Sequence, residues 1–215
     1  GSDARLWMLQ VPEFSRNYKV ILFDNRDVGR TSKTDVSYTI DTMAEDTFNL
    51  LERLGVERCH ILGFSMGGMI AQAFALMYPK KVRSLILCAT ASRGPKGLSV
   101  LKMWNGLVES VTQLANNPLI EQLAKYFYIQ LPKEVFRQFE AVEKFDATEL
   151  LKEIRVPTLV LAGDRDNVIP LWSAWDMASR IPNVEFKVLW GCGHALFLEK
   201  WWEFNKEVLQ FLQKH

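Results

Sequence analysis

Five short apolar runs, spaced by longer helical patterns, constrain this chain more than any other feature. They are Lys19–Phe23 (KVILF), His60–Gly63 (HILG), Val82–Cys88 (VRSLILC), Pro157–Ala162 (PTLVLA) and Val184–Trp190. Runs such as KVILF and PTLVLA are continuously apolar rather than alternating, the pattern of strands covered on both faces. Between them, a helix opens at Asp41 as N-cap, carries Met43, Phe48, Leu51 and Leu54 on one face, and stops at Gly55. A second carries Met69, Ile70, Ala73, Phe74 and Met77 and ends before Pro79. A third is expected over Leu171–Ile181, and a last one repeats Phe197, Trp201, Phe204, Val208 and Phe211 up to the C-terminus. Strands alternating with helices imply a mostly parallel sheet with helices on both faces. The fold class is α/β.

Residues 91–155 interrupt the alternation, because no strand signal falls among them. They carry helical patterns (Leu98, Leu101, Trp104, Val108, Val111) and then an aromatic group of Tyr126, Phe127, Tyr128, Phe136 and Phe139. A structureless loop of that length is improbable inside a compact domain. The segment reads as a helical cap inserted at the carboxyl edge of the sheet, where open α/β folds bind ligands. Residues 1–90 and 156–215 then form one body. Most of the aromatics must pack the insertion onto that body, with Trp104 a candidate for lining a pocket.

Composition excludes other classes. The 215 residues are 48% hydrophobic and 24% charged, enough for a sizeable core. A net charge of +1 supplies no field for nucleic acid or an anionic membrane, and no apolar run reaches spanning length. Three separated cysteines (Cys59, Cys88, Cys192) form no C-x-x-C pair, and sparse cysteine usage fits the cytoplasm. Three histidines leave little material for a metal site, and no cofactor is expected.

The chemistry points to three loops. Gly63-Phe64-Ser65-Met66-Gly67-Gly68 follows an expected strand and opens an expected helix, the context that G-x-S-x-G requires. Such a turn lifts a serine hydroxyl out of the sheet and points helix N-terminal N–H groups at the same space. Glycines two residues either side, Gly63 and Gly67, are expected to avoid clashes with the neighbouring strand and helix. A serine needs a base, usually a histidine oriented by a carboxylate. His194, in the loop Gly191-Cys192-Gly193-His194-Ala195, is suitably placed, whereas His60 begins a strand at the opposite sheet edge and His215 ends the chain. Asp166 is the preferred carboxylate; Asp164 sits so near its strand that it is expected to hold the turn. The order is Ser65, Asp166, His194.

The segments DNRDVGRTS (Asp24–Ser32), GFSMGGMIAQ (Gly63–Gln72), AGDRDNVIP (Ala162–Pro170) and GCGHALFLE (Gly191–Glu199) together resemble the α/β-hydrolase superfamily, in its branch with a single helical cap. The resemblance implies Ser65 as nucleophile, Asp166 as acid, His194 as base and the Met66 N–H as one oxyanion donor. Phe64, Val168 and Trp104 are expected with Met66 around the substrate. A serine nucleophile argues against dehalogenases and epoxide hydrolases, whose relatives carry aspartate there. The expected reaction is hydrolysis of a small carboxylic ester of short to medium acyl chain. Lactonase, carbon–carbon hydrolase and perhydrolase chemistry share the same triad, and a non-catalytic ligand-binding module is the reading from another class.

Two departures from the family pattern stand out. Asp27 occupies a position usually held by glycine, which places it on a surface turn. The His-Gly loop that supplies a second oxyanion N–H is missing, as is the strand that would lie between Lys19–Phe23 and His60–Gly63. A sheet with a gap there is expected, and with it a fragment that folds poorly and turns over esters weakly.

Overall fold

The computed structural model describes residues 3–96, 105–106 and 133–215. Trp104, Leu98, Leu101, Val108, Val111 and Tyr126 to Tyr128 lie outside the described residues. The strands are β1 (Cys59–Phe64), β2 (Val82–Cys88), β3 (Thr158–Gly163) and β4 (Val184–Leu189). The helices are α1 (Val11–Phe14), α2 (Ile40–Arg53), α3 (Met66–Met77), α4 (Lys133–Lys144), α5 (Leu171–Ser179), α6 (Leu196–Glu199) and α7 (Trp201–Lys214).

The four strands pair in parallel in the order β1-β2-β3-β4. Leu62 stands opposite Ile86, Leu87 opposite Val160, and Leu161 opposite Lys187. Successive side chains leave opposite faces of a strand, so each strand feeds two apolar layers. Leu85, Leu87 and Val160 join Met43, Phe74 and Met177 on one side. Ile86, Cys88, Leu159 and Leu161 join Phe197, Phe204 and Phe211 on the other. Those three phenylalanines are at most 2% exposed, and burying side chains of that size contributes about 1.5–3 kcal/mol apiece.

The element ends refine the sequence reading. α2 begins after Thr39, whose side chain accepts the Thr42 N–H while Thr42 bonds back to the Thr39 N–H. Asp41 is therefore a first-turn residue rather than the N-cap, and its negative charge suits that end of the helix. The C-terminal helix is broken at Lys200, whose φ of −127° separates α6 from α7. Phe197 and Phe204 still face the same core because the break preserves the direction of the apolar stripe.

Lys19–Phe23 forms no strand, which corrects the sequence expectation. Ile21 packs against one core layer and Val20 against the other, as the side chains of a sheet member would. A continuous apolar run alone does not make a strand; a partner must supply the ladder. Here a cavity of about 760 Å³ lies between the segment and β1, lined by Val20 to Phe23 on one wall and Cys59 to Phe64 on the other. This coincides with the gap expected between the two runs. β1 is accordingly half-buried along most of its length, whereas β3 is buried throughout.

Asp27 corrects a second expectation. It is fully buried (0% exposed) with φ +70°, not a surface-turn residue.

Among the described residues no helix is long and apolar enough to cross a membrane.

Candidate active site

Ser65 sits between β1 and α3 at φ +51°, ψ −119°. A non-glycine residue holds this conformation only when its surroundings fix it. The Ser65 N–H donates to the Cys88 carbonyl at 2.9 Å, and the Gly68 N–H donates to the Ser65 carbonyl at 2.9 Å. Gly63 permits the tightness: a Cβ there would lie 2.2 Å from the Gly67 carbonyl oxygen. The companion expectation for Gly67 is wrong, because a Cβ at that position meets nothing within 4 Å. The second crowded position is Gly68, where a Cβ would lie 2.5 Å from the Thr90 side chain. Met66 opens α3, so its N–H has no carbonyl one turn back and remains available to an anion at the turn.

The structure brings Ser65, His194 and Asp166 together. His194 Nε2 lies 3.1 Å from Ser65 Oγ, and Nδ1 lies 2.8 Å from Asp166 Oδ2. A carboxylate only accepts, so Nδ1 carries the proton and Nε2 is left to accept from the serine hydroxyl. The other carboxylate oxygen, Asp166 Oδ1, accepts the N–H groups of Val168 and Ile169, both at 2.8 Å. Asp166 is 6% exposed and His194 only 1%. Nothing in the sequence pattern announced this pair of backbone donors. Asp164 holds the turn, accepting the Gly191 N–H.

Phe64 packs its ring 4.9 Å from the His194 imidazole and 4.6 Å from Phe197, so it supports the histidine from below. Val168 packs with Ala91 and Ile169 and serves the site through its N–H rather than as cavity wall. Glu199 is a residue the sequence reading quoted without a role. Its carboxylate accepts the Gly193 N–H at 2.7 Å, one residue before the histidine. Burial raises its pKa, partly offset by that N–H. An acidic residue five positions after the histidine, inside an otherwise apolar stretch, was the available signal.

The lining of the cavity beside β1 includes Ser65, together with Met66, Leu6, Trp7, Phe139 and Ile169. Of these, only Ser65 and Met66 were singled out from the sequence as site residues. His60 takes no part, its Nδ1 lying 2.7 Å from Ser84 Oγ. Among the described residues no group of three or more His, Cys, Asp or Glu side chains could hold a metal ion. The cysteines are not competing nucleophiles, since burial raises the Cys88 thiol well above its usual value and pushes Cys192 up to about 12. Cys59 is raised by burial too. At pH 7.5 all three remain thiols, and the thiolate is the reactive form. Iodoacetamide at that pH is therefore expected to leave activity unchanged over an hour, as assayed before and after treatment; rapid inactivation would contradict the assignment.

A family model described as alpha/beta hydrolase fold matches residues 1–131 and, in a second overlapping match, residues 107–200. The chain belongs to the α/β hydrolases. It is 30% identical over 234 residues to the 2-hydroxy-6-oxononadienedioate/2-hydroxy-6-oxononatrienedioate hydrolase 2 of Pseudomonas putida, across 94% of this chain and 79% of that protein. It is 29% identical to the carbamate hydrolase RutD of Caulobacter sp. (strain K31), across 99% of this chain and 87% of that one. A thermophilic esterase from Thermogutta terrifontis superposes with a TM-score of 0.87 at 27% identity, across 99% of this chain and 86% of that one. This α/β hydrolase thus resembles proteins named for different hydrolase substrates.

Proposed function

We propose that this α/β hydrolase cleaves small carboxylic esters of short to medium acyl chain through an acyl-enzyme on Ser65. The observation that carries the reading is the unbroken hydrogen-bond chain from Ser65 Oγ through His194 to Asp166 and on to two backbone N–H groups. Ser65 Oγ attacks the ester carbonyl while its proton passes to His194 Nε2, and the imidazolium is stabilised by Asp166. The oxyanion forms beside the Met66 N–H at the α3 N-terminus. The proton on Nε2 then goes to the departing alcohol. Water, deprotonated by the same nitrogen, releases the acid and restores Ser65. An apolar cavity wall of Leu6, Trp7, Phe139 and Ile169 suits an acyl chain.

A fluorophosphonate probe tests this directly. The probe is expected to label the wild-type chain on the peptide containing Ser65 and to leave Ser65→Ala unlabelled. In parallel, p-nitrophenyl butyrate turnover is expected to fall by about a thousandfold or more in the variant. Equal turnover in both would sink the reading, and an unlabelled wild type would favour a non-catalytic binding module. The Pseudomonas putida relative motivates one comparison. When the butyrate ester and a 2-hydroxy-6-oxo-dienoate are offered at equal concentration, the ester is expected to be the better substrate.

A further inference from the structure

Helix α4 reaches the Ser65 cavity, where Gln138, Phe139 and Val142 contribute to the wall. Apolar packing of Ala141, Val142 and Phe145 holds the helix against the body, but apolar contacts are non-directional and tolerate sliding. Directional contacts come from the Gly94 N–H, which donates to the Phe145 carbonyl just beyond its C-terminus at 2.9 Å, and from polar groups on the loop after Lys19–Phe23.

We propose that Asp27 and Arg137 form a latch that seats α4 and thereby sets the acyl-side wall of the catalytic cavity, making both positioning residues for the proposed ester reaction. Arg137 Nε donates to Asp27 Oδ2 at 3.1 Å, and the Thr34 N–H donates to Asp27 Oδ1 at 2.7 Å. Burial alone would raise the Asp27 carboxyl, but Arg137, the Thr34 N–H and the nearby Tyr38 hydroxyl outweigh it and hold the group below its usual value. Asp27 is thus an ionised, fully buried anion facing the insertion. The next helix residue repeats the attachment: Gln138 Nε2 donates to the Arg26 carbonyl at 2.9 Å. Arg26 is itself anchored, its guanidinium making two bonds to Asp46 of α2 at 2.6 and 2.7 Å and lying 4.9 Å over the Tyr38 ring.

Asp27 also keeps φ +70° although it is not glycine. That is a conformation disfavoured for most side chains, retained where the surroundings over-determine it. Replacing a whole buried ion pair is often neutral for stability although removing one member alone is costly, so what the intact pair supplies is an arrangement in which both charges are satisfied. The pair therefore points to placement of α4 rather than to global stability.

The test compares Asp27→Asn, Arg137→Met and the double variant with the wild-type chain. Asparagine keeps the shape and tolerates the left-handed backbone; with its carbonyl held by the Thr34 N–H, its NH₂ faces the Arg137 guanidinium, so the substitution removes both the charge and the bond to the helix. In each single variant, amide hydrogens of α4 are expected to exchange about tenfold faster while those of α2 and α3 are unchanged. KM for p-nitrophenyl butyrate is expected to rise about tenfold with kcat within about twofold, and the double variant to be no worse than the poorer single. Should Arg137→Met fold poorly, the double variant, which leaves no unpaired anion, keeps the comparison open. Unchanged α4 exchange and KM would overturn the proposal. So would faster exchange spread across the sheet, or a fall in kcat at constant KM. The exchange measurement needs no substrate, so absence of ester turnover would sink the reading of the reaction without touching the latch.

Discussion

Asp166→Asn is expected to lower kcat for p-nitrophenyl butyrate by about a thousand- to ten-thousandfold while leaving the fold intact. The reason lies in the groups on the far side of the carboxylate. Val168 and Ile169 both donate N–H groups to Oδ1. An asparagine must therefore turn its carbonyl toward them, because an NH₂ there would face two donors. Its NH₂ is then forced toward His194 Nδ1, which must become an acceptor. The ring proton moves to Nε2, and Nε2 can no longer take the proton of Ser65. The backbone of the 166–169 turn thus dictates the wrong tautomer, and the variant loses its base without losing its packing. Circular dichroism and thermal unfolding close to the wild type, with the rate collapsed, are the expected pair of results. Asp164→Asn supplies the contrast: its partner is the Gly191 N–H, which an amide oxygen can accept equally well, so kcat should change by less than about threefold. A small effect at Asp166 with a large one at Asp164 would reassign the acid.

The placement of Asp166 shows what a sequence can carry and what it cannot. Ser65, Asp166 and His194 were legible because each lies where a strand ends beside glycine or a turn, in an order that limits the alternatives. β2 and β3 were legible because buried parallel strands leave continuous apolar runs, and the structure buries nearly every residue of both. Lys19–Phe23 has the same apolar signature yet is no strand. A strand is a relation between two segments, and among the described residues none pairs with its backbone. The break at Lys200 was invisible for a related reason: the apolar stripe continues in phase on both sides of it, so periodicity registers one helix where there are two.

Asp27 was misread by local reasoning. A charged residue in a glycine-bearing turn ordinarily points to solvent. Its partner, Arg137, lies in a helix more than a hundred residues later. No pattern within the turn announces that distant cation, and only the folded chain brings the two together. The same limit hid the Val168 and Ile169 donors, since backbone N–H groups leave no trace in residue identity.

The two glycines of the nucleophile turn lead to the other large effect. Gly63→Ala places a methyl group 2.2 Å from the Gly67 carbonyl oxygen, 2.5 Å from its carbon and 2.7 Å from the Gly68 nitrogen. All three are backbone atoms of the first turn of α3, so no rotamer change can relieve the contact. The turn must move as a unit, carrying Ser65 Oγ and the Met66 N–H away from the reacting carbonyl. A displacement of about 1 Å at such a site costs about a hundredfold in rate, and overpacking of this kind costs about 1–3 kcal/mol or more of stability. Gly67→Ala, two residues after the serine, meets open space, and alanine is the better helix former by about 0.5–1 kcal/mol. Its melting temperature is expected to match or slightly exceed the wild type. If the two variants melt together and retain equal rates, the geometry of the turn is not what Gly63 protects. If Gly63→Ala alone loses both stability and rate, the first glycine is there for space and the second is replaceable.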